Sequence, residues 1–354
     1  MPIRLPTRAR QQRGMTIIEL MISVTLGLFM IAAIGYLYVS SRGAYRGNSA
    51  LARIQEDGRF GLDAITRDAR QVGAAGCNSH ASLQFVAPQL FLPGAGAQIA
   101  YTGPDTALFG VAPSSYAFAP APTSAFTAPA VAGGPPWLAG DVLQMVVPTS
   151  EPISLVADAD PVNYTVTISD NSAKLQKNDY LVVSNCTNAS VAQVLVPPAP
   201  TGAGTAVVVG LTNAPLVAPT VVPQLTVATH ATAQRIDAVT YYVGQYPGRP
   251  WSALYRYSAA QNATEEVIDH VENMCVLYGI DNNPPVKASA IPAGSWGKVN
   301  SLRISLQVVG EEQSTAPLGA PVTLDSTATG TWPAPDTRLR QIFTATAALR
   351  NRLP

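Results

Sequence analysis

From Met15 to Val39 the chain reads MTIIELMISVTLGLFMIAAIGYLYV, an apolar run interrupted by a single charged residue, Glu19. As a helix at ~1.5 Å per residue the run spans roughly 37 Å, enough to cross a hydrocarbon core of about 30 Å with some tilt. After Val39 the pattern turns amphipathic. Leu51, Ile54, Leu62, Ile65, Ala69 and Val72 recur at helical spacing, with Gly58 in the missing position. Arg53, Glu56, Asp57, Arg59, Asp63, Arg67, Asp68 and Arg70 surround them, several placed for i,i+3 or i,i+4 pairing. Gly73 and Gly76 are stop signals. The pattern predicts one long helix, with a membrane half at 15–39 and an amphipathic half at 40–75. The apolar stripe of the second half needs a partner, and a β-sheet formed by the rest of the chain is the natural one.

That rest, residues 76–354, carries strand signals. Asp141–Val147, Tyr180–Ser184, Val239–Val243, Ala253–Tyr257 and Leu302–Val308 all read as strands. In the last, Leu302, Ile304, Leu306 and Val308 alternate with Arg303, Ser305 and Gln307, so one face is buried. A Gly-Arg-Pro turn at 248–250 predicts that the third and fourth of these strands form a hairpin. Phe343, Ala345, Ala347 and Leu349 mark a further alternating strand near the end. No strand–helix–strand rhythm is present, so the expected class is α+β with a mostly antiparallel sheet. Residues 86–136, rich in Ala, Pro and Gly with scattered aromatics (Phe91, Tyr101, Phe109, Tyr116, Phe118, Phe126), and residues 196–230 read as long surface loops.

Composition narrows the function classes. Lys+Arg and Asp+Glu both number 22 in 354 residues, so no global charge points to nucleic acid. Only three histidines occur (His80, His230, His270), with no pair at metal-ligand spacing. Asp158 and Asp160 read as a polar turn rather than the start of a calcium loop. Phosphate-binding loops, dinucleotide fingerprints and nucleophile elbows are missing, so neither catalysis nor a cofactor nor a metal is expected. Of the three cysteines, Cys275 sits within the apolar run Met274–Tyr278, where a buried thiol packs well. Cys77 follows the helix end and Cys186 a strand end. Three pairings are open, and Cys77–Cys186 is the disulfide we expect in an oxidising compartment, worth roughly 4–5 kcal/mol in the chain-entropy model.

Glu19 is the residue that asks for an explanation. An acid deep in a bilayer costs on the order of 3 kcal/mol on insertion scales, less near a helix end. An ordinary signal anchor has no use for one, and no small-residue cleavage site follows Val39. A basic leader (Arg4, Arg8, Arg10, Arg13) ends in Arg13-Gly14, Met15 follows, and Glu19 is the fifth residue after the glycine. Here the sequence resembles the class III signal of type IV prepilins. The resemblance implies removal of a cytoplasmic leader, residues 1–14, by prepilin peptidase between Gly14 and Met15. It also implies N-methylation of Met15, and pairing of Glu19 with the terminal amine of a neighbouring subunit. In a low-dielectric helix bundle such a pair would offset both charges and fix axial register.

Further strings extend the resemblance. GAAGC at 73–77, DYLVVSNC at 179–186, VENMCVLYGID at 271–281, WGKVNSLRISL at 296–306 and RLRQIFTATAALRNRL at 338–353 are similar, in that order, to the PilW family of minor pilins. The segment after YGID, often acidic in that family, is Asn282-Asn283-Pro284-Pro285 here, so no calcium site is expected there. The apolar run lacks the proline that major pilins often place at the position of Tyr36, which favours a minor subunit. The family implies a pilin-like fold and a single-pass inner-membrane protein with a periplasmic head that passes into the pilus. Its partners would be prepilin peptidase, other minor pilins, the major pilin and a large tip adhesin, and its role would be to help prime assembly at the tip. The alternatives are a J-type minor pseudopilin of type II secretion, which shares the anchor, and a ligand-binding adhesin head on a pilin-type anchor.

Overall fold

A computed structural model describes residues 15–74, 84–85, 90–93, 98–101, 108–111, 118–119, 134–160, 165–185, 188–196, 207–211, 226–281, 283–292, 295, 298–313, 322–323, 331–332 and 338–350. One helix, α1 (Ile17–Gln71), runs without a break from the apolar stretch into the amphipathic one. Thr16 starts it: its Oγ1 accepts the Glu19 N–H at 3.3 Å and its carbonyl the Leu20 N–H at 3.1 Å. Gly73 stops it at φ +71°, a left-handed conformation that glycine adopts without strain. The chain divides into two compact units, Met1–Ala52 and Arg53–Pro354. The division falls inside α1, and its residues from Arg53 onward belong to the second unit.

In the first unit no described residue is buried. In the second, Ile54, Gly58, Gly61, Leu62, Ile65, Thr66 and Ala69 of α1 are buried. Ile65 and Ala69 are wholly so, as is Val72 just beyond. Leu51, expected on this stripe, is 36% exposed and belongs to the other unit. Gly61, which the apolar pattern passes over, takes a core position because Ile268 and Leu306 press against it. A Cβ there would lie 2.6 Å from Ile268 Cδ1.

The short strands β1 (Gln84–Phe85), β2 (Leu90–Pro93), β3 (Gln98–Tyr101), β4 (Leu108–Val111) and β5 (Phe118–Ala119) precede the long β6 (Trp137–Pro148). Then come β7 (Ile153–Asp160), β8 (Thr165–Ile168), β9 (Tyr180–Ser184), β10 (Asn188–Val196) and β11 (Val207–Leu211). The central β12 (Thr232–Gly244) leads into β13 (Ala253–Ser258) and β14 (Ala263–Asp269). The chain continues through β15 (Val271–Ile280), β16 (Val286–Lys287), β17 (Val299–Gln313), β18 (Val322–Thr323), β19 (Thr331–Trp332) and β20 (Arg338–Ala348).

Twelve strands join in one branched sheet in which β12 pairs with β6, β7, β9 and β13, and β16-β15-β17-β20 form a second sheet. Among the described pairings only β1 with β10 is parallel. The predicted hairpin is β12–β13, with Tyr242 opposite Tyr255. Two stretches read as loops contain strands. Leu108–Val111 pairs with β6, and Val207–Leu211 bridges β8 and β10. These strands are only four or five residues long between Pro- and Gly-rich flanks, too short for an alternating pattern to register.

Two apolar clusters result. The larger gathers the buried α1 residues with β6, β12, β13, β15 and β17, among them Leu143, Met145, Val239, Tyr241, Leu302 and Leu306. The smaller lies among β7 to β12 and contains Ile153, Leu155, Ile168, Leu181, Val194 and Val209. Cys275 is a buried thiol, as expected; Cys77 and Cys186 lie outside the described residues.

Candidate functional site: the apolar helix and the docked helix

The first half of α1 is apolar all round. Ile17, Ile18, Phe29, Met30, Ile31, Tyr36 and Val39 are each more than two-thirds exposed, and its most apolar window contributes nothing to any core. A helix that is hydrophobic on every face needs lipid or other helices around it. Side-chain hydroxyls are tied back into the helix, Ser23 Oγ to the Glu19 carbonyl at 2.7 Å and Thr25 Oγ1 to the Ile22 carbonyl at 2.9 Å. That leaves Glu19 as the one residue in the run that is charged at neutral pH.

Glu19 lies in the first turn of α1, three residues after Thr16. The string Thr16-Ile17-Ile18-Glu19 is a capping-box signature, a signal that the spacing to Gly14 alone does not reveal. An acid in a first turn gains about 0.3–1 kcal/mol from the helix dipole. A carboxylate costs roughly 3 kcal/mol at the bilayer centre and less near a helix end, where Glu19 stands. Helix capping therefore offsets part of the cost of placing the carboxylate there. Glu19 has no side-chain partner among the described residues. Met15 is exposed just before the helix, and Gly14 lies outside the described residues.

The second half of α1 is held by a polar lock that the sequence pattern did not single out. Asp68 Oδ2 accepts from Tyr241 Oη at 2.8 Å and from Arg256 Nε at 3.0 Å. Burial opposes the charge of Arg256, but Asp68 beside it more than offsets this, and the guanidinium is held above its ordinary pKa. Burial and then the Asp68 carboxylate push the Tyr241 phenol well up, so it stays a donor. The signal was a lone arginine in the otherwise apolar strand ALYRY. At the other end of the docked segment, Arg53 Nη1 reaches Glu311 Oε2 at 2.7 Å. Between the two, Gly58 faces the Phe343 ring so closely that any Cβ would overlap it.

A buried acid sits where β6 meets β15. Gly140, at φ +78°, lets the strands approach, and Asp141 Oδ2 then accepts the Val276 N–H at 2.8 Å. Burial pushes the Asp141 carboxyl up to about 6, against the pull of that hydrogen bond, Lys287 and Cys275. On β15 itself, Glu272 receives Arg340 at 2.8 Å and Arg338 at 3.5 Å from β20, which ties the C-terminal strand to the sheet. Among the described residues no group of His, Cys, Asp and Glu could hold a metal ion.

Comparison with known proteins gives two matches. Residues 240–351, from the middle of β12 through β20, match the family described as Type IV Pilus-assembly protein W. Residues 9–35, which contain Gly14, Met15 and Glu19, match the Prokaryotic N-terminal methylation motif. No curated protein and no solved structure matches the chain. The chain thus joins an N-terminus similar to the methylation motif, on an exposed apolar helix, to an antiparallel head whose residues 240–351 are similar to the PilW family, a prepilin-like arrangement.

Proposed function

We propose that the protein is a minor pilin that enters the inner membrane through α1, is cut between Gly14 and Met15 by prepilin peptidase, and is methylated on Met15. The observation that carries this reading is Glu19. It is a single carboxylate in the first turn of a helix whose other membrane-depth residues are uncharged, and capping offsets part of its cost. Cleavage after Gly14 creates an amine with an ordinary pKa of about 7.7–8.0. A neighbouring subunit's amine is the cation that Glu19 lacks, and the pair fixes the axial step between subunits. The absence of a proline at the position of Tyr36 favours a minor over a major subunit, and the family match in the head favours the pilus over a type II secretion pseudopilin.

In this reading the protein leaves the membrane with the growing pilus and helps prime assembly at the tip. It works there with other minor pilins, the major pilin and a large tip adhesin, and the head, in the periplasm, is stapled by Cys77–Cys186. The decisive experiment expresses the chain with and without prepilin peptidase and reads the N-terminus of the membrane form by mass spectrometry. N-methylated Met15 appearing only with the peptidase is the expected result. Retention of residues 1–14, or cleavage after Val39, would overturn the proposal.

A further inference from the structure

A cleft of about 300 Å³ opens on the head between the β6–β7 turn and the β8–β9 connection, lined by Thr149, Ser150, Glu151, Ser172, Ala173, Lys174 and Arg235. Both walls are fixed. On one side the Thr149 N–H donates to the Arg235 carbonyl at 2.8 Å, the Arg235 N–H to Ser150 Oγ at 3.0 Å, and Gln234 Nε2 to the Ser150 carbonyl at 2.8 Å. On the other, the Ser172 N–H donates to Asp170 Oδ1 and the Leu175 N–H to Asn171 Oδ1, each at 2.8 Å. Lys174 stands on that wall at φ +50°, a backbone conformation that costs a non-glycine residue on the order of 1 kcal/mol.

The cations of this cleft are arranged unequally. Arg235 is only 26% exposed at its side chain, and its Nε donates to Thr149 Oγ1 at 2.9 Å. Its Nη1 lies 3.7 Å from Asp179, too far for a tight pair. Its Nη2 has no partner among the described residues, and neither has the ammonium of the exposed Lys174. A planar guanidinium oriented from two sides, with an ammonium and three hydroxyls nearby, matches a carboxylate. Glu151 on the lining and Asp179 behind Arg235 balance the two cations, which disfavours multiply charged ligands such as phosphate esters or nucleic acid. The lining contains no aromatic ring on which a sugar could stack.

We propose that this cleft is a docking socket for an acidic peptide segment of a partner protein. One Asp or Glu carboxylate of the segment receives Arg235 and Lys174, while a basic or amide group beside it meets Glu151.

The test uses the full chain in detergent micelles and three probes: capped Gly-Glu-Gly, capped Gly-Gln-Gly and inorganic phosphate. The Arg235 Nε–H resonance, assigned by its loss in R235K, is followed by 15N NMR. Gly-Glu-Gly is expected to shift it and saturate at about millimolar concentration, with binding weakened roughly tenfold in K174Q. Lys174 is exposed, so K174Q keeps the fold and isolates the charge. An equal shift with Gly-Gln-Gly, tighter binding of phosphate, or no response to Gly-Glu-Gly at tens of times the expected concentration (~ 50 mM) would each overturn the socket.

Discussion

The two halves of α1 are built from similar helix-forming material and have opposite fates. From Ile17 to Ala52 the helix is apolar or mixed on all sides and buries nothing, whereas from Arg53 to Gln71 it buries a narrow stripe. The contrast shows that what decides a helix's partner is the angular spread of its apolar residues more than their number. Two of the stripe's members are glycines. Gly58 and Gly61 contribute no side chain of their own and serve by letting Phe343, Ile268 and Leu306 come close. Gly27 and Gly35, in the first half, have nothing within 4 Å of an added Cβ.

Four substitutions would break or sharpen that contrast. The largest effect is expected for Gly58→Leu, which drives a side chain into the Phe343 ring. It should lower the unfolding free energy by about 3 kcal/mol, read as a shift in denaturant midpoint, with partial recovery in the double variant with Phe343→Ala. Next is Asp68→Ala, which leaves Arg256 half-buried without its carboxylate and Tyr241 without its acceptor. A loss of about 2 kcal/mol is expected, and the double variant with Arg256→Met should recover part of it.

The third concerns pH. The folded-state pKa of Asp141, about 6, is raised above an unfolded value of about 3.9. Its contribution is therefore fully present below about pH 4 and lost as pH rises through about 6. Asp141→Asn accepts the same Val276 N–H with no charge to bury. It should stabilise the head by about 2 kcal/mol at pH 8 and by almost nothing at pH 4, measured by thermal or denaturant unfolding at both values. An advantage independent of pH would show that the buried charge is not the cause. The smallest effect is expected for Gly35→Leu, which should leave the unfolding midpoint unchanged within about 0.5 kcal/mol. A large shift there would mean that the first half of α1 is also packed on the head.

Much of this architecture was legible in the sequence because its strongest elements follow clean periods. Tyr180–Ser184 is a strand with the predicted bounds, and Leu302–Val308 lies inside the longer β17. The longer ends escaped notice where charge interrupts the pattern. β20 begins at Arg338, five residues before the alternation from Phe343, because Arg338 and Arg340 are held by Glu272 on another strand. Of the candidate site, the Gly14–Met15–Glu19 spacing was visible at once, being local. The Asp68–Tyr241–Arg256 lock was not, since its members are separated by 173 and 188 positions and each looks ordinary alone. Thr16 was overlooked because the Thr-x-x-Glu signature lies within a run that draws attention for its hydrophobicity.

The clamps on the docked helix have a mechanical side. Arg53–Glu311, the Gly58–Phe343 contact, Asp68–Arg256 and the hydrogen bond from the Gly73 N–H to the Val146 carbonyl follow one another along the chain from Arg53 to Gly73. Tension applied along the helix axis would load them side by side in shear, so that they share the force. A pull perpendicular to the axis would open them one after another, like a zip. The head is thus fastened to its helix in the manner best suited to a rope under tension and least suited to peeling.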